Sequence, residues 1–304
     1  MPFITSDLTV HTHAASEPGL FVNSYLLETA SGVVVVDTNL LVADIAALRA
    51  RVAAIGKPLR AVFVTHAHPD HFNGVYDLAH DRDVPVYATT AVAKVIEDIA
   101  EAKRTQWAPV YGSQWPAQTA YPTAHLGNGQ SFDIGEVTIT AHDAGPAESH
   151  ADSYLVATTP GGHPVGFIGD LAWHGPHAYM ADGHTSAWLA TLDQLTVELA
   201  DVRVLFPGHG PAGDPQLLAQ QRRYVLFYRE VVRRLADGAA LLTESAKAQL
   251  DTELQRFLPD APLTWMIQLG ADAVAAELAA ELAEHGAEHG AEHGAEHGAE
   301  AGKR

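Results

Sequence analysis

There is no cysteine anywhere in the chain, which removes disulfides, thiolate metal ligands and cysteine nucleophiles together. Any metal must then be held by histidine, aspartate or glutamate. Basic residues are also scarce: 18 Lys and Arg stand against 37 Asp and Glu, a formal net charge of −19. So acidic a chain lacks the clustered positive charge that a phosphate backbone requires, and nucleic acid is not an expected partner. No run approaches the roughly 18 apolar residues that would suggest a membrane span. The opening residues from Met1 to Asp7 have neither the basic start nor the apolar core of a secretory signal. The expectation is a cytoplasmic protein that acts on a small molecule, with no membrane partner; a homodimer is compatible with it.

What is present is 304 residues, 47% of them hydrophobic, enough to bury a full core and to form one large α/β domain with additions. Short strands are expected from Asp7 to His13 and from Phe21 to Glu28, then a β-branched run, Val33-Val34-Val35-Val36, buried on both faces. Leu41 to Ile55 carries apolar residues at helical spacing and stops at Gly56. A strand from Ala61 to Val64, a helix from Phe72 to about His80, a strand at Val84–Ala88 and a helix capped by Thr89 and running to about Arg104 continue an α/β layered plan. Residues 105–130, with Trp107, Tyr111, Trp115 and Tyr121 among prolines and glycines, have no clear period. Either a wall of a substrate pocket or a self-packed surface insertion fits them.

Between the Ala61–Val64 strand and the helix after it stands Thr65-His66-Ala67-His68-Pro69-Asp70-His71. Two histidines one residue apart at the end of a strand can turn their imidazoles the same way and grip one cation. Asp70 and His71 project to the other side of the turn, where a carboxylate and an imidazole suit a second. His11 and His13 alternate on an earlier strand, but no further donor follows them, so they read as a strand face.

His66-Ala67-His68-Pro69-Asp70-His71 resembles the H-x-H-x-D-H signature of the metallo-β-lactamase superfamily, and Phe21–Leu26 and Val36-Asp37-Thr38 resemble its first two core strands. The resemblance covers roughly residues 7 to 215. It implies an α/β fold, the four-layer αββα sandwich of that family, over residues 1–213. A helical extension packed on the core is expected over 214–284, and a disordered histidine-rich tail, built on Ala-Glu-His-Gly, over 285–304.

The resemblance also implies completing ligands. The family's third histidine stands in a loop after a strand, commonly as Gly-His followed by a small hydroxyl residue. Here the chain reads Ala147-Glu148-Ser149-His150-Ala151, a departure; His150 is the expected ligand and His142 its rival. Asp170, ending the strand Pro164–Gly169, matches the bridging aspartate, since a carboxylate can span two cations roughly 3.5–4 Å apart. Pro207-Gly208-His209-Gly210 resembles the last ligand turn. His66, His68 and His150 would then hold one zinc, Asp70, His71 and His209 another, with Asp170 between them and iron as the alternative metal. Two cations sharing a water would supply hydroxide at neutral pH. Asp70 and Asp170 are therefore the expected catalytic residues, and Trp173 and His174, just past the bridging aspartate, are candidates to bind substrate.

On that resemblance the expected activity is hydrolysis of a small ester or lactone. Thioester or β-lactam hydrolysis and a mononuclear iron sulfur dioxygenase are the alternatives.

Overall fold

The computed structural model describes residues 2–5, 7–80 and 82–284. They divide into two compact units: Met1–Pro176 with Ser186–Arg223, and His177–Thr185 with the described residues from Tyr224 on.

The first unit is built on two sheets. The larger has seven strands in sequence order: β1 (Phe3–Ile4), β2 (Thr9–Ala14), β3 (Asn23–Glu28), β4 (Val33–Val36), β5 (Leu59–Phe63), β6 (Val86–Thr89) and β7 (Ala124–Leu126). Strands β1 to β4 pair antiparallel, and β4 to β7 run parallel. The second sheet contains β8 (Ser131–Ile134), β9 (Val137–Gly145), β10 (Asp152–Thr158), β11 (Val165–Gly169) and β12 (Val204–Pro207), with only β11 and β12 parallel.

The valine run of β4 shows how one strand organises three layers. Successive side chains of a strand point to opposite faces. Val33 and Val35 therefore join Leu48 and Val52 of helix α1 (Val42–Ile55), while Val34 and Val36 join Ile139, Leu155 and Phe167 of the facing sheet. All four valines are buried, each worth about 1.5–3 kcal/mol over exposure. Helix α2 (Pro69–Phe72), helix α3 (Val75–Ala79) and helix α4 (Thr90–Tyr111) follow on the same side, with Leu78, Val92 and Ile96 in that cluster.

The fourth layer is helix α5 (Thr185–Glu198) with the first turns of helix α6 (Gln216–Ala236). Trp188 donates its indole N–H to the Leu171 carbonyl at 2.9 Å, Tyr154 of β10 donates to Glu198 at 2.7 Å, and Arg222 meets Asp193 through two hydrogen bonds. The expected αββα sandwich is the observed arrangement.

In the second unit, α6 runs on to Ala236, and helix α7 (Glu244–Phe257), capped by the Thr243 side chain, and helix α8 (Trp265–Leu269) follow. Residues 271–284 are helical as well. Arg229, almost fully buried, is neutralised within this unit by Glu281 at 2.7 Å. Among the described residues, no helix is long and apolar enough to cross a membrane. The expected histidine-rich tail lies outside the described residues.

Three expectations about elements need correction. The single helix expected over 72–80 is two short ones: at the break the Gly74 N–H donates to the Thr38 hydroxyl at 3.0 Å, and a Cβ at Gly74 would be 2.2 Å from the Thr38 carbonyl. The helix capped by Thr89 does not end near Arg104 but continues through Pro109 to Tyr111. Trp107 and Tyr111, four residues apart, share a helix face there and pack with Leu20, Leu40, Leu41 and Trp115, so tertiary burial overrides the proline. The helix expected over 264–283 is interrupted at Gly270.

Candidate metal centre

Four strand ends converge on one place. Asp37 follows β4, residues 66–71 follow β5, Asp170 follows β11 and His209 follows β12. All belong to parallel strand pairs, whose carboxyl ends leave side chains in a shared crevice. The sheets are tied together beneath it by Tyr25, Phe167 and Phe206, with ring centroids 4.9 to 5.5 Å apart.

Two groups of buried donors result. His66, His68, Glu148 and Asp170 form one; Asp70, His71 and His209 form the other. Within the first, His68 Nδ1 is 3.1 Å and His66 Nε2 is 3.7 Å from Glu148 Oε2, and His66 Nε2 is 3.9 Å from Asp170 Oδ2. Within the second, His71 Nε2 and His209 Nε2 are 3.5 and 3.3 Å from Asp70 Oδ2. Asp170 spans the groups: its Oδ1 is 3.4 Å from His71 Nε2 and its Oδ2 is 3.3 Å from His209 Nε2.

These spacings fit ligands around cations. Donors about 2.0–2.1 Å from a tetrahedral ion lie roughly 3.3 Å from one another. Nε2 of His66, His71 and His209, Oδ1 of Asp170 and Oε1 of Glu148 are buried without a hydrogen-bond partner. Buried polar atoms are almost always satisfied, so five orphans aimed at one another are explained by a shared ion. The residues fit a dinuclear metal site.

The other ring nitrogens are engaged, so the inward-facing nitrogen of each ring is Nε2. His66 Nδ1–H donates to Thr65 Oγ1 (3.0 Å), His71 Nδ1–H to Asp37 Oδ2 (2.8 Å) and His209 Nδ1–H to the Leu20 carbonyl (2.8 Å). Each Nε2 is thereby turned inward, where its lone pair would serve a metal. Asp37 also accepts from the Thr65 backbone N–H and hydroxyl, both at 2.9 Å. The Leu20 carbonyl reaches His209 because Leu20 and Phe21 take left-handed φ angles of 65° and 56°, unusual for apolar residues. Asn23 holds the far side of the same turn, its side-chain amide donating to the carbonyls of Pro207 (3.1 Å) and Gly210 (2.7 Å).

In the metal-free chain the cluster's charges are strongly interdependent. Burial pulls His71 and His209 down, but the surrounding carboxylates, Asp170 first, outweigh it, raising His71 well above its usual range and His209 to about 9. Burial opposes ionisation of Asp70 and Asp170, yet the same histidines hold both well below the usual carboxylate range. Burial dominates at Glu148, against the attraction of His68, and pushes it up to about 8. It also drives His66 well down, with His71 adding to the effect.

Of the seven residues expected to ligate metal, the structure gathers His66, His68, Asp70, His71, Asp170 and His209. His150 is exposed and belongs to neither group, so the expectation is corrected: the residue of this loop that joins His66, His68 and Asp170 as a donor is Glu148. The cause is the turn. Asp152 Oδ2 accepts from the backbone N–H groups of Ala147 (3.2 Å) and Ser149 (2.9 Å), which aims Glu148 inward and leaves His150 outside. The rival His142 is half-buried on β9, stacked on Tyr154 with centroids 4.8 Å apart, away from both groups. A signal for Glu148 was present: Ser149 supplies the small hydroxyl residue that follows the family's ligand. Asp37, Thr65 and Asn23 stand in the quoted stretches, but the sequence assigns none of them a role at the centre.

The two expected substrate residues lie beside His209. Trp173 is buried and stacks on the His209 ring, 3.8 Å between centroids and 5° between planes, with its indole N–H unpartnered. His174 is half-buried, and its Nδ1–H donates to the Pro211 carbonyl at 2.7 Å.

The sequence model of the metallo-β-lactamase superfamily matches residues 18–209, an interval that contains every donor named above. No protein of curated function matches the sequence. Among solved structures, a metallo-β-lactamase from Pontibacter korlensis is similar at 21% identity and a TM-score of 0.58, over 74% of this chain and 98% of that one. One from Hirschia baltica is similar at 19% identity and 0.52, over 73% and 95%. The DIM-1 metallo-β-lactamase is similar at 18% identity and 0.55, over 74% and 95%. At these identities the neighbours speak for the fold alone. The sequence match spans more than half the chain, and with it the chain belongs to the metallo-β-lactamase superfamily, most of whose members are metal-dependent hydrolases.

Proposed function

We propose that the protein is a dinuclear metal hydrolase of small esters or lactones with an apolar acyl part, working in the cytoplasm with two zinc ions. The observation that carries the metal chemistry is the pair of buried donor groups joined by Asp170, with their inward atoms unsatisfied. His66, His68, Glu148 and Asp170 would hold one cation, and Asp70, His71, His209 and Asp170 the other. When bound, such a pair polarises a carbonyl and makes a water nucleophilic at neutral pH. The chain's own part is to fix the donors through Asp37, Thr65 and Leu20 and to present Asp70 as a carboxylate beside the reacting atoms.

Two observations support an apolar neutral substrate. The wall of Trp107, Tyr111 and Trp115 packs on Leu20, whose carbonyl holds His209, so aromatic surface adjoins the centre. Burial and then the nearby Asp70 charge push the Tyr111 phenol up to about 12, so it stays a neutral donor. Trp173, stacked on His209, extends that surface. The arginines of α6, which a glutathione carboxylate would need, are largely committed: Arg222 to Asp193, Arg229 to Glu281 and Arg234 to Glu253.

The test is a screen of metal-loaded protein on a lactone, a simple ester, a β-lactam and a glutathione thioester. Turnover of the lactone or ester should exceed the other two. A clear preference for either of the others would overturn the choice of bond.

A further inference from the structure

Glu148 changes the character of the centre as well as completing it. With Glu148 in place, the first group offers His66 and His68 nitrogens with Glu148 and Asp170 oxygens. The second offers His71 and His209 nitrogens with Asp70 and, through its 3.4 and 3.3 Å approaches, Asp170 oxygens. Each half-site is therefore two nitrogens and two oxygens, with one carboxylate of its own and one shared. A histidine at position 148 would have made the halves unlike, three nitrogens against two.

We propose that Glu148 matches the two half-sites, so that the protein binds two like divalent cations with similar affinity rather than filling one half-site first, and tolerates manganese-class ions alongside zinc. Three observations carry this. Glu148 is 2% exposed and its Oε1 has no partner, so its carboxylate is committed to the cluster. The turn bearing it is clamped by Asp152, and Ser149 Oγ donates to the Ala151 carbonyl at 3.1 Å, so the backbone at Glu148 is held in place. Three carboxylates, Asp70, Glu148 and Asp170, face the ions where a histidine ligand would leave two.

The charge matters because adjacent dications repel, and that repulsion weakens the second binding event in a centre with too few anionic ligands. An extra carboxylate offsets one unit of it. Oxygen in place of nitrogen also favours harder cations: imidazole suits zinc and copper, carboxylate suits manganese and magnesium. Zinc keeps its general advantage over manganese, but Glu148 narrows it. The inference rests on the metal-centre reading and not on which bond is hydrolysed.

The test uses the full chain stripped of metal and titrated with zinc, with cobalt(II) followed by its absorption, and with manganese(II) followed by electron paramagnetic resonance. The native chain should take up two equivalents in one unresolved transition, and half-loaded manganese protein should show coupled pairs alongside mononuclear signal. Glu148→His should separate the two equivalents and raise the zinc-to-manganese affinity ratio about tenfold or more. Glu148→Gln, which keeps the shape and removes the charge, should also separate them; circular dichroism identifies any variant that fails to fold, and the native titration then decides alone. Mononuclear manganese signal with no coupled pairs at half loading of the native chain would overturn the proposal. So would folded Glu148→His that titrates like the native chain. Because every readout is binding, a failure of the ester and lactone screen leaves the result intact, and the reverse also holds.

Discussion

The Asp37 carboxylate lies 2.8 Å from Nδ1 of His71, and the same oxygen accepts the Thr65 hydroxyl, which in turn accepts from His66. One buried carboxylate thus orients a ligand in each half-site, His71 directly and His66 through Thr65. Asp37→Asn should lower metal affinity about 10–100-fold, the usual effect of losing such an outer partner. Asparagine also tolerates the left-handed φ of 61° at this position, so the far-ultraviolet circular dichroism should not change. Metal titration checks it, and native affinity in the variant would show that Asp37 is only a backbone anchor.

The donor assignment predicts an order among four substitutions. Asp70→Ala should lose one ion of the pair and most of the turnover while the fold persists, because Asp70 approaches both His71 and His209. Glu148→Ala should lose metal comparably. His150→Ala, at an exposed site outside both groups, and His142→Ala, on the Tyr154 stack, should keep two ions per chain. Metal content after dialysis reads this directly. Loss of an ion on changing His150, with Glu148→Ala unaffected, would reverse the correction.

How much of this was legible in the sequence follows from how local each feature is. The valine run of β4, the Gly56 stop of α1 and the Thr89 cap of α4 depend on neighbouring residues and could be read directly. So could His66, His68, Asp70 and His71, packed into six residues. Glu148 could not be separated from His150 by residue type, since histidine is the commoner ligand and the deciding hydrogen bonds come from Asp152 folding back on the turn. The last turns of α4 were hidden for a different reason. Pro109 argues against a helix locally, and the burial of Trp107 and Tyr111 against Leu20 and Leu40 involves residues far away in sequence.

The raised groups set a pH dependence whose sign is fixed. In the metal-free chain His209 titrates at about 9 against an ordinary 6.5, and Glu148 at about 8 against an ordinary 4.5. Between each pair of values the native state holds a proton that the unfolded chain has released, so stability falls as pH rises through these windows. For His209 this is a stabilisation fully present below the unfolded value and gone above the folded one; for Glu148 it is a burial cost absent below the unfolded value and complete above the folded one. Metal requires neutral histidine and ionised carboxylate, so binding displaces these same protons and tightens as pH rises. Going from about pH 7 to about pH 9, the melting temperature of the metal-free protein should fall and the increase produced by metal should grow. Differential scanning calorimetry with and without metal checks both, and a metal-induced increase that shrinks over that range would contradict the assignment.

Gly208 gives the sharpest steric prediction. It sits in the turn that delivers His209, and its backbone N–H donates to the Gly169 carbonyl at 2.7 Å, which holds the turn against the strand end carrying Asp170. A Cβ at 208 would stand 1.9 Å from Asp170 Oδ1 and 2.8 Å from His71 Cε1. The neighbours cannot yield cheaply: Asp170 lies between the two donor groups, His71 is fixed by Asp37, and the turn is held by Asn23 and Tyr25 through the Pro207 carbonyl. Gly208→Ala must therefore move Asp170 or the turn, and either displaces donors of both half-sites at once. The expected result is loss of paired metal loading with a stability decrease of about 1–3 kcal/mol, the usual range for overpacking a filled interior. Gly145→Ala is the control: a Cβ there meets nothing within 4 Å although φ is 73°, so it carries backbone strain without a clash at the centre. If Gly208→Ala binds two ions as tightly as Gly145→Ala, the close approach of the turn to Asp170 is not a requirement of the site.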